Sequence, residues 1–265
     1  FNPKITTASY SPGGTNTTTL LKRETISTLN GMSCGSTSLT AEFSNTVTIT
    51  VAPNLNAGAA SSTTKVYCYG VTPSVIEDDG NGEAAGASIA FDWQKSFDNG
   101  TYTSTGISTA QITPTTALIR DTYYRRVTKR LNGAGAPICE VYSVPVLIKV
   151  NNIDPGVVQN DFTVCNGDDP VTIQSISPSI GAGGSGIITY RWEFLSGGAW
   201  GAAPGPNVNN QINYTTADLA PGVYPFRRGV QSTLDGVTCP SAVLYEYSNT
   251  VTVTVAAALT AGTAT

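Results

Sequence analysis

The same ordered set of short phrases is written along this chain more than once, at intervals of about one hundred residues. "TLLKRETIST" (Thr19–Thr28), "DTYYRRVTKR" (Asp121–Arg130) and "VYPFRRGVQS" (Val223–Ser232) each set a bulky pair before a basic pair. "LNAG" (Leu55–Gly58), "IDPG" (Ile153–Gly156) and "LTAG" (Leu259–Gly262) open successive units. "SNTVTITV" (Ser44–Val51), "SVPVLIKV" (Ser143–Val150) and "SNTVTVTV" (Ser248–Val255) close them. The fold must therefore be one that a unit of this size completes and then repeats.

The closing phrases alternate Val or Ile with Thr, the two-residue period of a strand with one buried face. "IAFDWQ" (Ile89–Gln94) and "ITYRWE" (Ile188–Glu193) put Ile, an aromatic and Trp on one face of a strand. Glycine-rich turns punctuate these runs, and no stretch shows a long amphipathic helix. Short strands, frequent turns and a unit of about one hundred residues predict an all-β chain of tandem immunoglobulin-like β-sandwich domains in an extended array. Residues 1–53 read as the C-terminal half of one repeat, 54–151 and 152–256 as complete repeats, and 257–265 as the start of another. On this reading the sequence is an excerpt from a longer array, its units joined by short junctions into a semi-stiff string.

Neighbouring residues on a strand point to opposite faces. Arg125 and Arg126 cannot both address one ligand on a flat sheet, nor can Arg227 and Arg228. One of each pair should reach solvent while the other packs its stem and hydrogen-bonds its guanidinium, within reach of Trp93 or Trp192. Trp93, Tyr124, Arg125 and Arg126, and Trp192, Phe226, Arg227 and Arg228, are thus expected to be scaffold, not a ligand site.

The chain has no histidine among its 265 residues, which removes serine–histidine triads and histidine-based zinc sites. No catalytic residue and no cofactor are expected. A net charge of −4 gives no reason to expect nucleic acid as a partner. No apolar run is long enough for a bilayer-spanning helix, so membrane insertion is not expected. Charged residues are only 12 %, and Thr, Ser, Asn and Gly supply the polarity, the style of an extracellular β protein.

Cys68 and Cys139 are separated by nearly the same length of chain as Cys165 and Cys239. Without any Cys-x-x-Cys pair, such spacing suggests disulfides formed in an oxidising compartment. Two schemes fit. One closes each repeat on itself, as Cys68–Cys139 and Cys165–Cys239, with Cys34 paired outside the sequence. The other crosses the junctions, as Cys34–Cys68 and Cys139–Cys165. The first keeps both partners in one folding unit and is the expectation.

Three further constellations invite a functional reading. Asp78, Asp79, Asn81 and Glu83 gather oxygen ligands within "EDDGNGE", a weak calcium candidate whose spacing departs from the EF-hand loop. Trp200, set among glycines, is the best candidate for stacking on a sugar, with Tyr102 and Tyr214 behind it. Asp168 and Asp169 are adjacent in a turn, and "CYGVTP" has no acid in the corresponding place, which argues against a catalytic carboxylate pair.

"TYYRRV", "FDWQKSFDNGTY", "CYGVTP" and "SNTVTVTV" together resemble the repeats of the very large SprB-type motility adhesins of gliding Bacteroidota, over nearly the whole chain. The resemblance implies an extracellular, outer-membrane-associated filament exported by the type IX secretion pathway. It also implies partners in the gliding machinery and in surface polysaccharides or solid substrata. "VYPFRRG" and "LLKRE" depart from the aromatic pair. The other reading is a glycan-binding accessory module of a secreted polysaccharide-degrading protein.

Overall fold

A computed structural model describes residues 8–34, 42–52, 54–78, 88–168, 170–177, 180–181, 186–205, 209–241 and 244–259. All regular structure among these residues is β, in strands that build β-sandwich-like layers. The chain divides into two compact units, Phe1–Asn54 and Leu55–Thr265.

The second unit holds both complete repeats, built on one plan. In the first, the tryptophan strand Ile89–Ser96 pairs antiparallel with the arginine strand Thr122–Leu131. The arginine strand pairs in turn with the closing strand Val146–Asn151, which runs parallel to the short strand Val66–Cys68. Pro137–Tyr142 folds back on the far half of the arginine strand. In the second repeat the same order joins Ile187–Ser196, Gly222–Leu234, Val251–Ala256 and Phe162–Cys165, with Val237–Cys239 folding back. Smaller pairings, such as Ala60–Ser61 with Glu77–Asp78 and Thr172–Ile173 with Tyr214–Thr215, supply the opposing layer.

Each repeat has its own core, fed by the alternation seen in the sequence. Trp93, Tyr124, Val146, Ile148 and Val150 meet Ile76, Ile112 and Leu118 in the first. Trp192, Phe226, Val251, Val253 and Val255 meet Val158, Ile173 and Tyr214 in the second. Both tryptophans are fully buried, and each needs an acceptor for its indole N–H. Trp93 donates to Thr109 O at 3.0 Å, and Trp192 to Gln211 O at 2.9 Å. The layer opposite the tryptophan strand thus holds the ring by its edge as well as its faces.

The first unit forms short antiparallel pairs. Thr19–Leu21 pairs with Val47–Ile49, Glu24–Thr25 with Glu42–Phe43, and Ser27–Leu29 with Met32–Cys34. Leu20, Leu29, Met32, Phe43 and Val47 are exposed there.

Candidate functional site

The basic pair occupies the two faces of one strand. Arg126 and Arg228 point inward and are 3 % and 0 % exposed. Burial of a guanidinium requires acceptors in the opposing layer. Arg126 Nη1 donates to Ala110 O at 3.1 Å. Arg228 Nη1 donates to Ser175 Oγ at 2.8 Å and Ile212 O at 3.0 Å, and its Nη2 donates to Pro155 O at 2.8 Å. Burial also lowers the Arg228 pKa from its usual value. Trp93 and Trp192 stand directly across the ladder from these arginines. The guanidinium carbons nevertheless settle over different rings, Phe91 at 4.3 Å and Tyr190 at 5.4 Å.

Arg125 and Arg227 lie on the outer face, each against two aromatic rings. Arg125 stands 3.8 Å from the Tyr102 ring centre and 4.3 Å from that of Tyr142. Arg227 stands 4.2 Å from Trp200 and 3.6 Å from Tyr247. Each such contact contributes roughly 0.5–2 kcal/mol according to its desolvation. Arg125 Nε donates to Gln94 Oε1 at 2.9 Å. At the matching place Arg227 donates through Nε and Nη2 to Glu193 Oε2, at 3.0 and 2.7 Å. Lys22 of the first unit stands 3.7 Å from the Phe43 ring centre, a cation over one aromatic ring.

A serine that the sequence reading passed over fixes this geometry. Arg126 N donates to Ser143 Oγ, and Ser143 N donates back to Arg126 O. Arg228 with Ser248, and Arg23 with Ser44, make the same reciprocal pair. The serine precedes every closing strand and follows the aromatic that covers the outer cation (Phe43, Tyr142 or Tyr247). That recurrence was the available signal. In both complete repeats the phrase packs one arginine inward and lays the other against aromatic rings.

The aromatics considered for sugar stacking separate. Tyr214 is a core residue against Trp192 and Phe226, which removes it as a surface platform. Tyr102 and Trp200 are half-buried beside the outer arginines. Around Trp200 the outer face also carries Tyr245, Tyr247, Arg191 and Glu193. Asp79, Asn81 and Glu83 of the calcium candidate lie outside the described residues, as does Asp169. Asp78 pairs with Ala60 at the end of a short strand. A shallow cavity is lined by Asn166, Gly167, Asp218, Leu219 and Ala220.

The cysteines depart from the expectation. Cys68 is bonded to Cys239, 171 residues away, with a Cα–Cα distance of 5.5 Å. Cys139 and Cys165 are free and exposed. Neither the pairing Cys68–Cys139 with Cys165–Cys239 nor the pairing Cys34–Cys68 with Cys139–Cys165 forms. The sheet register supplies the physical reason. Cys68 stands opposite Asn151, beyond the end of the ladder where Ile148 meets Thr122, whereas Cys139 stands opposite Arg130. Eight residues of strand separate Thr122 from Arg130, about 26 Å at strand rise. A disulfide tolerates a Cα separation of about 7 Å at most. In the second repeat Cys165 and Cys239 likewise mark opposite ends of the sheet.

The bond therefore joins one repeat to the next, and the junction around it is built. Asn151 Nδ2 donates to Ser232 O at 2.8 Å and to Val237 O at 3.0 Å. Lys149 Nζ meets Asp235 Oδ2 at 2.7 Å, and that carboxylate raises the lysine pKa. A Cβ at Gly186 would stand 2.3 Å from Ser232 Oγ, so a larger residue there would have to turn that hydroxyl aside. The semi-stiff string of separate beads is amended in this respect: each repeat keeps its own core, but this junction is bonded covalently.

A domain of unknown function, DUF8696, matches residues 56–152, which span the first complete repeat. No curated protein matches the chain. Among solved structures, one similar chain is the Bacteroides ovatus mixed-linkage glucan utilization locus (MLGUL) SGBP-B in complex with mixed-linkage heptasaccharide. It is 13 % identical over 78 % of this chain and 69 % of that one, with a TM-score of 0.20, a likeness too loose to carry an argument about function.

Proposed function

We propose that this chain is a structural and adhesive segment of a long secreted cell-surface filament, of the kind that the SprB-type motility adhesins form. On this reading it is non-catalytic, is exported by the type IX pathway and is displayed at the outer membrane. It transmits load between the gliding machinery and a polysaccharide or solid surface. The observation that carries the reading is the Cys68–Cys239 bond, which ties successive repeats to one another. Tension applied along the backbone then bypasses the 171-residue segment between the two sulfurs. In both complete repeats the arginine phrase is taken up by packing, as expected of a shaft and not of a ligand site.

Single-molecule pulling of the full chain tests this. Under oxidising conditions the segment between Cys68 and Cys239 stays closed. Adding reductant should release up to about 600 Å of extra length, at about 3.5 Å per residue. Identical unfolding lengths with and without reductant would contradict a load-bearing role.

One outer face favours a second reading, in which the repeats are glycan-binding modules. Trp200, Tyr245 and Tyr247 set flat rings beside Arg191, Arg227 and Glu193, a combination of stacking surface and charged hydrogen-bonding groups that suits sugars. A glycan array separates the two readings. Firm binding that disappears on Trp200→Ala supports the module, and no binding by either protein supports the shaft.

A further inference from the structure

The bonded junction is a template for the free cysteines Cys139 and Cys165. Cys165 occupies the place in the second repeat that Cys68 occupies in the first, the last residue of a short strand parallel to the closing strand, opposite Ala256 as Cys68 is opposite Asn151. Cys139 occupies the place of Cys239, on the returning strand and opposite Arg130 as Cys239 is opposite Ser232. Within a repeat the two cysteines stand at opposite ends of the sheet, so neither can reach its own partner.

A second observation marks the Cys139 end. Ser232, the residue opposite Cys239, is fully buried at the formed junction. Its counterpart Arg130 is only 4 % exposed, and its Nε and Nη2 make no hydrogen bond among the described residues. Residues directly opposite in an antiparallel pair share a face, so Arg130 and Cys139 project from the same face of the sheet. Buried guanidinium N–H groups call for acceptors. In the template, the strand end seated at this place, Lys149–Asn151 with Cys68 alongside, brings the partner sulfur and the Asn151 side-chain amide, which donates to Ser232 O and Val237 O and has its Oδ1 left as an acceptor among the described residues.

We propose that Cys139 and Cys165 are the two halves of a recurring clamp, in which the early cysteine of each repeat bonds the late cysteine of the repeat that follows it. The occupant of each half is a repeat of the same type in the same polypeptide. Cys165 takes the late cysteine of a following repeat, and Cys139 takes the early cysteine of a preceding one. In each bond two thiols give up two protons and two electrons and form one S–S bond. The electrons pass to the disulfide of a dithiol oxidase, or of oxidised glutathione in vitro, which leaves as two thiols. The clamp does not depend on whether the array grips a surface or binds glycans.

The test extends the full chain. A second copy of Asn160–Thr265, carrying a mass tag, is continued after Thr265. This keeps register because Leu259–Gly262 stands where Ile153–Gly156 stands. After oxidative refolding with glutathione, peptide mapping without reduction should show Cys165 bonded to the added copy of Cys239, with Cys68–Cys239 retained. Cys165 should then resist the alkylation that it undergoes in the 265-residue chain. A reciprocal chain, with 54–151 duplicated in tandem, should bond the leading copy of Cys68 to the trailing copy of Cys139. Either new bond supports the clamp. A repeat closed on itself, or both extended chains keeping Cys68–Cys239 with neither new bond, overturns it. Retention of Cys68–Cys239 with neither new bond overturns the clamp and leaves the proposed function standing, whereas a repeat closed on itself removes the bond on which both rest.

Discussion

In the first complete repeat the outer arginine, Arg125, leans on a neutral amide, whereas in the second Arg227 clasps a carboxylate. Gln94 and Glu193 stand in matching places, opposite Arg125 and Arg227 in the ladder. The aromatic stack is the same in both, Tyr102 and Tyr142 in one and Trp200 and Tyr247 in the other. The geometry therefore does not need an ion pair. Cation–π contact and the reciprocal serine bonds hold the strand, and the charge partner is a local choice. That choice has a consequence, because Glu193 is only 5 % exposed and depends on its neighbours. Arg227 gives it two hydrogen bonds, Arg191 Nε stands at 3.4 Å, and Tyr247 donates from 3.4 Å.

The cores beneath the stacks should respond alike. Trp93→Ala and Trp192→Ala each remove a fully buried indole and leave Thr109 O or Gln211 O without its donor. Each should cost about 3–5 kcal/mol. Hydrogen exchange resolved by repeat checks this, with the larger loss of protection in the repeat that carries the substitution. Equal loss in both repeats would mean that the junction makes them one cooperative body.

The stacks above should respond differently. Arg227→Met strands the buried Glu193 carboxylate and should destabilise by about 2–4 kcal/mol. Adding Glu193→Gln should recover most of that loss, because the second repeat then resembles the first. Arg125→Met leaves a neutral Gln94 and should cost about 1 kcal/mol. Denaturant titration of the four proteins measures the difference. Equal losses for Arg125→Met and Arg227→Met would mean that the carboxylate does not matter.

The hairpin tips give a smaller contrast. In the first repeat Asp98 accepts from Gly100 N, Ser96 Oγ and Thr101 N. The Gly100 amide, then the Ser96 hydroxyl and the Thr101 amide, lower its pKa from 3.8 to about 2. The matching tip in the second repeat uses Gly197 and Gly198, both at positive φ, and no acid. A depressed carboxylate pKa stabilises fully above about 3.8 and loses that contribution as pH falls toward 2. Protection of the Gly100 and Thr101 amides relative to their intrinsic exchange rates should therefore fall over that interval while that of Gly198 stays constant. Parallel changes at both tips would remove Asp98 as the cause.

The sandwich was legible because its signal is local. Alternation placed the closing strands, and the shared face of Phe91 and Trp93 placed the tryptophan strand. The two faces of Arg125–Arg126 follow from strand geometry alone. Ser143 and Ser248 were present in the repeated phrases, but a hydroxyl that bonds the adjacent strand carries no periodicity to betray it. The cysteine pairing was not legible, because chain separation says nothing about which end of a sheet a residue occupies. Only the register puts Cys68 beside Asn151 and Cys139 beside Arg130, on opposite edges of one repeat. The junction contacts are also particular to their site. Asn151 has Ala256 as its counterpart in the next repeat, so no repeated letter announces its bonds to Ser232 and Val237.

Constraining the 171-residue loop between Cys68 and Cys239 should stabilise by about 5 kcal/mol in the chain-entropy picture, so the identity of that bond governs the rest of the account. Mass-spectrometric peptide mapping of the oxidised, unreduced protein reads it directly. The account predicts one cross-linked species joining the Cys68 and Cys239 peptides, with Cys139 and Cys165 recovered as alkylated thiols. Recovery of Cys68 joined to Cys139 and Cys165 joined to Cys239 would contradict it.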